Sequence, residues 1–290
     1  MTKYNKTQLN PQDTFERHIY HRDQFAHYLR WTHILKIAKI GQTILDFGCG
    51  SGEMLEVFYR NRFRPKKYLG LDIRTATIHK NNEKFKNVDF AEFKEADLCG
   101  DINLNEKFDI ITSFEVFEHI GKWNGQKYLN NIKKHMNENS RLYMSTPCFN
   151  GKAAKNHMIT DDEGNEHVGE YGFEELKELL SKNFEIIKVY GTFASMSDYK
   201  PLLNDWQQKM FDELCDYYDV NLVSNIMAPF FPEHSRNAHW VLKLKEDKNI
   251  DEEVIDKETE EPSTEDNNED IGDLPKKTKR HKRNRNNGDD

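Results

Sequence analysis

The sequence predicts an α/β fold built on a doubly wound, mostly parallel sheet, and three observations carry that prediction. Short apolar runs alternate with segments of helical period along most of the chain. The first of those runs, Ile44-Leu45-Asp46-Phe47, breaks into a turn with glycines at 48, 50 and 52. Another, Tyr68-Leu69-Gly70-Leu71, ends on Asp72, twenty residues after Gly52. A buried strand that ends in a turn too tight for side chains, followed by a helix N-terminus, lets the backbone close on a ligand. An acid at the tip of the next strand can accept both hydroxyls of a ribose. The pattern implies a nucleoside-containing cofactor.

From the N-terminus, residues 14–40 place Phe15, Ile19, Phe25, Leu29, Trp31, Leu35 and Ala38 at three- and four-residue steps, a leading helix. Candidate strands follow at 43–47, 67–71, 88–93, 108–113 and 140–145, with helices near 53–62, 74–86 and 123–137. Such alternation belongs to parallel strands joined by helical crossovers. Residues 174–182 read as a helix, 184–190 as a sixth strand and 238–244 as a seventh. Between the last two lies an insert, 193–237, too long for an ordinary hairpin connection. Within it 202–220 has a helical pattern and Pro229-Phe230-Phe231-Pro232 an apolar loop. The insert is expected to build a substrate wall or an oligomer surface.

Spacing narrows the cofactor. The dinucleotide fingerprint G-x-G-x-x-G, counted from Gly48, needs a glycine at 53, where Glu53 stands. A carboxylate there would repel a pyrophosphate, so NAD and FAD are disfavoured, and the phosphate loop G-x-x-x-x-G-K-[ST] is absent. D-x-G-x-G-x-G, with its acid ahead of the first glycine, suits a ligand carrying an ammonium and a sulfonium but no phosphate. On these residues the chain resembles the class I S-adenosylmethionine (SAM)-dependent methyltransferases. Asp46 to Gly52 match their first motif, Asp72 the second, Ala96-Asp97-Leu98 the third, and Phe108 to Glu115 the fourth strand with its acid. The resemblance covers roughly 40–190 and returns at 238–245. It implies SAM as cofactor, a seventh strand running antiparallel between strands five and six, and a leading helix over the cofactor cleft. Residue by residue it implies cofactor contacts from Asp46, Gly48, Cys49, Gly50, Asp72, Ile73, Asp97, Leu98 and Glu115. Asp46 would favour the amino end of the cofactor, directly or through water, and Asp97 would meet the adenine amino group. The run of motifs also looks, loosely, like methyltransferases encoded in bacteriophage genomes.

The acceptor side is less legible. Phe114-Glu-Val-Phe-Glu-His-Ile looks like the E-V-x-E-H motif of the family's small-molecule and nucleoside-acting branches, in particular the type-11, ubiquinone-biosynthesis-like branch. Glu115 and His119 are the catalytic candidates there, because an imidazole near its working pH can take a proton from a hydroxyl. The bland alternative is that the two merely pair one helical turn apart. His157 and Tyr171, in the loop after strand five, are substrate candidates; His167 shares that loop. His18 and His21 lack a third ligand, so no metal is expected. Thr146-Pro147-Cys148 contains the Pro-Cys pair of cytosine-C5 methyltransferases but follows the fifth strand rather than the fourth, and Ser-Phe-Glu-Val departs from the [DNS]-P-P-[YF] of amino-methyltransferases of DNA. Neither DNA-base chemistry is supported.

Composition bounds the rest. Residues 246–273 hold fourteen acids against two lysines, and 276–285 seven basic residues. Such a segment cannot bury enough apolar surface to offset its ordering entropy, so a disordered acidic-then-basic tail is expected beyond a domain at 1–245. Without the tail the body has 33 basic and 34 acidic residues, and no global basic field points to a nucleic-acid duplex. Scattered cysteines at 49, 99, 148 and 215, a polar N-terminus and no apolar run of eighteen residues read as a soluble cytoplasmic protein with free thiols. The function expected is methyl transfer from SAM to an oxygen or nitrogen of a small-molecule or nucleoside-like acceptor. The alternatives are a nucleic-acid methyltransferase tethered by the basic stretch 276–285, or a non-catalytic SAM-binding scaffold. The sequence leaves the oligomeric state open.

Overall fold

A computed structural model of the chain describes residues 22–149, 159–160, 166–167, 170–194 and 199–245. Along the chain run α1 (Arg22–Ile37), β1 (Thr43–Phe47), α2 (Glu53–Arg60), β2 (Lys67–Asp72), α3 (Thr75–Lys84), β3 (Ala91–Glu95) and β4 (Ile110–Phe114). A 3-10 turn (Phe117–His119), α4 (Gly125–Lys134) and β5 (Arg141–Phe149) follow, then the short strands β6 (Ile159–Thr160), β7 (Glu166–His167) and β8 (Tyr171–Gly172). The C-terminal part holds α5 (Phe173–Asn183), β9 (Phe184–Ala194), α6 (Asp205–Tyr217), α7 (Val220–Met227) and β10 (Ser235–Leu244).

The main sheet has the order β3-β2-β1-β4-β5-β10-β9, with β8 pairing beside β5. Strands β1 to β5 are parallel, and β10 is antiparallel to both of its neighbours. This is the expected seven-strand, doubly wound sheet with its last strand reversed between the fifth and sixth.

Both faces of the sheet are covered, which is why its central strands are almost continuously apolar. Leu45, Phe47, Leu129, Ile132, Leu176 and Trp240 share one core with α4 and α5. Ile44, Tyr68, Trp31, Ile34, Leu55 and Phe58 share the other, with α1, α2 and α3. Because α2 leaves β1 toward one face and α4 leaves β4 toward the other, the sheet reverses its winding between β1 and β4. A crevice opens at the carboxyl ends of the strands at such a switch point.

Several boundaries moved. β3 starts at Ala91 rather than 88, because Val88 and Ala91 donate backbone bonds into a turn at Phe85 and Val88 before the ladder begins. The single helix expected at 202–220 is two. Asp219 accepts the Asn221 N–H at 2.8 Å and starts α7, while Tyr218 is extended, so the chain turns between them. The Pro-Phe-Phe-Pro loop forms two 3-10 turns, Ala228–Phe230 and Pro232–His234. The insert has a small core of its own in Tyr199, Leu203, Phe211, Val223 and Met227, and α7 packs on α1 and β9. The first part of the leading helix (with Phe15, Ile19, His18 and His21), His157 and the tail from 246 lie outside the described residues.

Candidate active site

The glycine turn sits at the switch point. Gly48 and Cys49 both donate their N–H to Leu71 O, each at 2.8 Å, tying the turn to the end of β2. Gly48, Gly50 and Gly52 have φ of 97°, 52° and 77°, the left-handed region that favours glycine. A β-carbon on Gly48 would stand 2.3 Å from Val116 Cγ2, so the turn and the exit of β4 pack backbone against side chain. Gly50 differs: the nearest heavy atoms to a β-carbon would be 3.6 and 3.8 Å away. Its backbone can be approached closely.

Asp46 lies beneath the turn. Tyr68 Oη donates to its Oδ2 at 2.6 Å and Thr112 Oγ1 to its Oδ1 at 2.8 Å. Burial pushes its carboxyl up to about 6 despite those bonds. The Asp46 side chain turns inward and braces β1 against β2 and β4. Cys49 is likewise turned in, with its thiol buried and its N–H already used. At the start of α2, burial pushes Glu53 up to about 7.

Asp72 closes β2 with its Oδ2 accepting the Gly50 N–H at 3.0 Å and its Oδ1 accepting the Arg74 N–H at 3.0 Å. The Arg74 guanidinium lies 3.1 Å from the same Oδ1. The next residue, Ile73, is 62% exposed, an apolar surface left bare beside a carboxylate. Asp97 is exposed and its Oδ1 accepts the Cys99 N–H at 2.9 Å, closing a local turn; no helix follows for it to cap. Leu98 is buried in the core beside α4, and its carbonyl accepts from Asn131 Nδ2 at 2.9 Å. An open groove of about 290 Å³ joins the Leu71 end of β2 to Ala96, Asp97, Gly100 and Leu104. Asp97 lines this groove, and Asp72 and Ile73 follow Leu71 in sequence just past its edge.

Glu115 stands beside this turn, one residue before Val116, with φ 56°. It is not on a helix, so the reading of Glu115 and His119 as a helical pair fails; only residues 117–119 coil, as a 3-10 turn. Three elements converge on its carboxylate. Ser145 Oγ of β5 donates to Oε1 at 2.7 Å, Asn237 Nδ2 of β10 donates to Oε2 at 2.6 Å, and Arg30 Nη1 of α1 lies 3.5 Å from Oε1. Thr192 of β9 completes the ring, donating to Asn237 Oδ1 at 2.7 Å and accepting from Arg30 at 3.3 Å. Burial pushes the Glu115 carboxyl up, but the Arg30 charge, with His27, Asn237 and Ser145, outweighs it and holds the group below its ordinary range. Glu115 is a fixed anion and a poor proton acceptor at neutral pH.

Glu118 behaves oppositely. It is buried, accepts from Thr146 Oγ1 at 2.9 Å, and both burial and the Glu115 charge drive its carboxyl well above the ordinary value. His119, about one-third exposed, has Nε2 4.0 Å from Glu118 Oε1. Tyr171, the substrate candidate alongside His157, is buried, stacked on Phe117 at 5.3 Å between ring centroids, with Lys122 over its ring at 4.7 Å. Its ring pairs two layers of core instead of lining a pocket. The Cys148 thiol is buried and pushed up to about 12, which removes it as a nucleophile.

Arg30, Ser145, Thr192 and Asn237 were not singled out from the sequence, although Arg30 left a signal. Ala26, Arg30 and Ile34 follow one another at four-residue steps, and all three are buried. A charge inside an apolar helical stripe has to meet a partner.

A family model described as a methyltransferase domain matches residues 20–189, more than half of the chain. No curated protein matches significantly. Among solved structures the chain is similar to one from the complex between the Haloferax volcanii Trm112 methyltransferase activator and the putative methyltransferase: 12% identity, 83% of this chain and 96% of that one, TM-score 0.53. It is also similar to the methyltransferase domain of a bacterial CtHen1-C, at 13% identity over 78% of this chain and all of that one, TM-score 0.51. The YcgJ protein of Bacillus subtilis follows at 14% identity over 76% of this chain and all of that one, TM-score 0.50. Identities this low reflect a common fold alone, whereas the family match extends across the glycine turn, the Asp72 strand and the Glu115 segment. The chain belongs to the methyltransferase-domain family, and it is a SAM-dependent methyltransferase.

Proposed function

We propose that this enzyme transfers the methyl group to an oxygen or nitrogen of a small-molecule or nucleoside-like acceptor held between the glycine turn and the Glu115 cluster. In this reading Asp72 accepts from the ribose hydroxyls, Ile73 lies against the adenine, Asp97 meets its amino group, and the exposed backbone at Gly50 flanks the amino-acid end. Bound SAM supplies a methyl group already activated on a sulfonium, so the protein's share is alignment and electrostatics. Glu115, clamped by Arg30, Ser145 and Asn237, keeps a negative charge at the mouth of β4, where it favours a cationic neighbour without taking a proton. Glu118, held neutral, is likewise unavailable as a base. The proton of a hydroxyl or amine acceptor then falls to His119, the titratable group of this segment that retains access to solvent.

The observation that carries the acceptor class is the make-up of this wall. Arg30 is its buried cation and is spent on Glu115, while Glu115 and Glu118 supply its carboxylates. Because Arg30 is spent on Glu115 and Glu118 is held neutral, the described wall offers no free cation to a polyanionic strand, whereas a compact neutral acceptor needs none. The test is mass spectrometry of full-length protein incubated with SAM and two sets of acceptors: small hydroxyl and amine compounds, nucleosides included, and oligonucleotides at two salt concentrations. Methyl on the first set supports the proposal. Methyl on oligonucleotides alone assigns the enzyme to nucleic acid and overturns it. Full turnover by His119→Ala at neutral pH removes His119 as the base.

A further inference from the structure

The insert carries a face that neither the cofactor crevice nor the acceptor wall uses. On its inner side α6 packs Phe211 against Tyr199, with ring centroids 5.9 Å apart, and helps form the insert's core. Its outer side is a different surface. Trp206 is 70% exposed and Tyr217 82%, large aromatic areas that water-soluble chains rarely leave bare in a cluster. Together with Lys209, Met210, Glu213 and Leu214, and with Tyr218 just past the helix end, they line an open groove of about 480 Å³.

The positions of the six lining residues within α6 map onto one another when the helix is reversed. About a point between Phe211 and Asp212, Trp206 exchanges with Tyr217, Lys209 with Leu214, and Met210 with Glu213. Two antiparallel copies related by a two-fold axis at that point would set each Trp206 level with the partner's Tyr217. Lys209 would lie within about one residue rise, ~1.5 Å along the axis, of the partner's Glu213. A two-fold axis perpendicular to both helices keeps each flank on its own side. The charged flank therefore meets the charged flank, and Met210 and Leu214 meet their counterparts. Among the described residues neither Lys209 nor Glu213 forms an ion pair within its own chain. Both charges are open to one across the axis, where opposite signs fall together.

We infer that α6 is the contact helix of a symmetric homodimer, a second copy of this chain being the occupant of the groove. A self-complementary patch is what an isologous interface requires. Two aromatic side chains at about 150–250 Å² each supply roughly half of the ~800 Å² per partner found in standard interfaces. An interface short of the standard area makes the association a reversible one.

Sedimentation velocity of the full chain across about 1–300 μM tests this directly. A concentration-dependent monomer–dimer shift is expected. Trp206→Glu abolishes it while leaving the thermal melt and SAM binding intact. Lys209→Glu weakens it by roughly tenfold, because each dimer carries the pair twice. Adding Glu213→Lys to Lys209→Glu restores it to within a few fold, since the exchanged signs again face one another. A wild-type chain that stays monomeric throughout overturns the inference. So does a dimer indifferent to Trp206→Glu, or a double swap no tighter than the single. Cofactor binding is read separately in each variant, so loss of association is distinguishable from damage to the site.

Discussion

Replacing Arg30 by Met would convert Glu115 from a paired anion into a half-buried one held by hydrogen bonds alone. The methionine fills much of the same space along α1, so the main loss is charge. Breaking a buried pair by removing one partner costs about 3–5 kcal/mol. Here Asn237 and Ser145 continue to donate to the carboxylate, and the Arg30 contact is long at 3.5 Å, so about 2–3 kcal/mol is expected at pH 8. The pH dependence is the sharper signature. In the native protein the Glu115 carboxyl is held below its ordinary value. Its contribution is present above the unfolded pKa and lost as pH falls through the folded one. Without Arg30 burial dominates and the carboxyl rises above its unfolded value, so stability would be lost as pH rises instead. Urea unfolding of native, Arg30→Met, Glu115→Gln and double-variant proteins at pH 5 and pH 8 completes the cycle. The Arg30→Met penalty should shrink at pH 5, and Glu115→Gln should relieve most of it at pH 8. An equal penalty at both pH values, or additivity of the two substitutions, would refute the account of a coupled pair.

Three further outcomes follow from the same geometry. Asp72→Ala should weaken binding of SAM or its demethylated product by one to two orders of magnitude in calorimetric titration, as expected for loss of a charge-assisted bond of about 1.5–3 kcal/mol; unchanged affinity removes the ribose role. Gly48→Ala forces a β-carbon to 2.3 Å from Val116 Cγ2 at φ 97°, so a loss of about 2–4 kcal/mol is expected in thermal or urea unfolding, with partial recovery on adding Val116→Ala. Because burial raises Asp46 to about 6, the native protein loses that share of its stability as pH climbs from about 4 to 6; Asp46→Asn should therefore look up to about 3 kcal/mol better, relative to native, at pH 7.5 than at pH 4, and a pH-independent difference would contradict a buried, titrating Asp46.

The strand order and the place of the glycine turn were legible because they rest on local signals. Apolar runs such as Ile44–Phe47 and Tyr68–Leu71 specify buried strands wherever they are placed, and three left-handed backbone positions in five residues admit little but glycine. Asp72 at the end of its run needed no knowledge of its neighbours. Asp46, Leu98 and Tyr171 show where such reading stops. A motif says which residues stand near a ligand, whereas the direction of each side chain depends on which face of the sheet it occupies. Asp46 faces Tyr68 and Thr112, and Tyr171 stacks on Phe117, because strands and turns far apart in sequence come together there.

By itself the sequence determined the fold class, the family and the cofactor, since periodicity, glycine conformation and motif spacing are properties of short stretches. Only the tertiary structure decided the chemistry of the Glu115 cluster. Arg30, Glu115, Ser145, Thr192 and Asn237 come from α1, the end of β4, β5, β9 and β10, spread over more than two hundred residues of chain. Whether Glu115 is a base or a fixed anion depends on a guanidinium eighty-five residues away in sequence. Electrostatic interaction follows distance in space, and no local pattern encodes that distance.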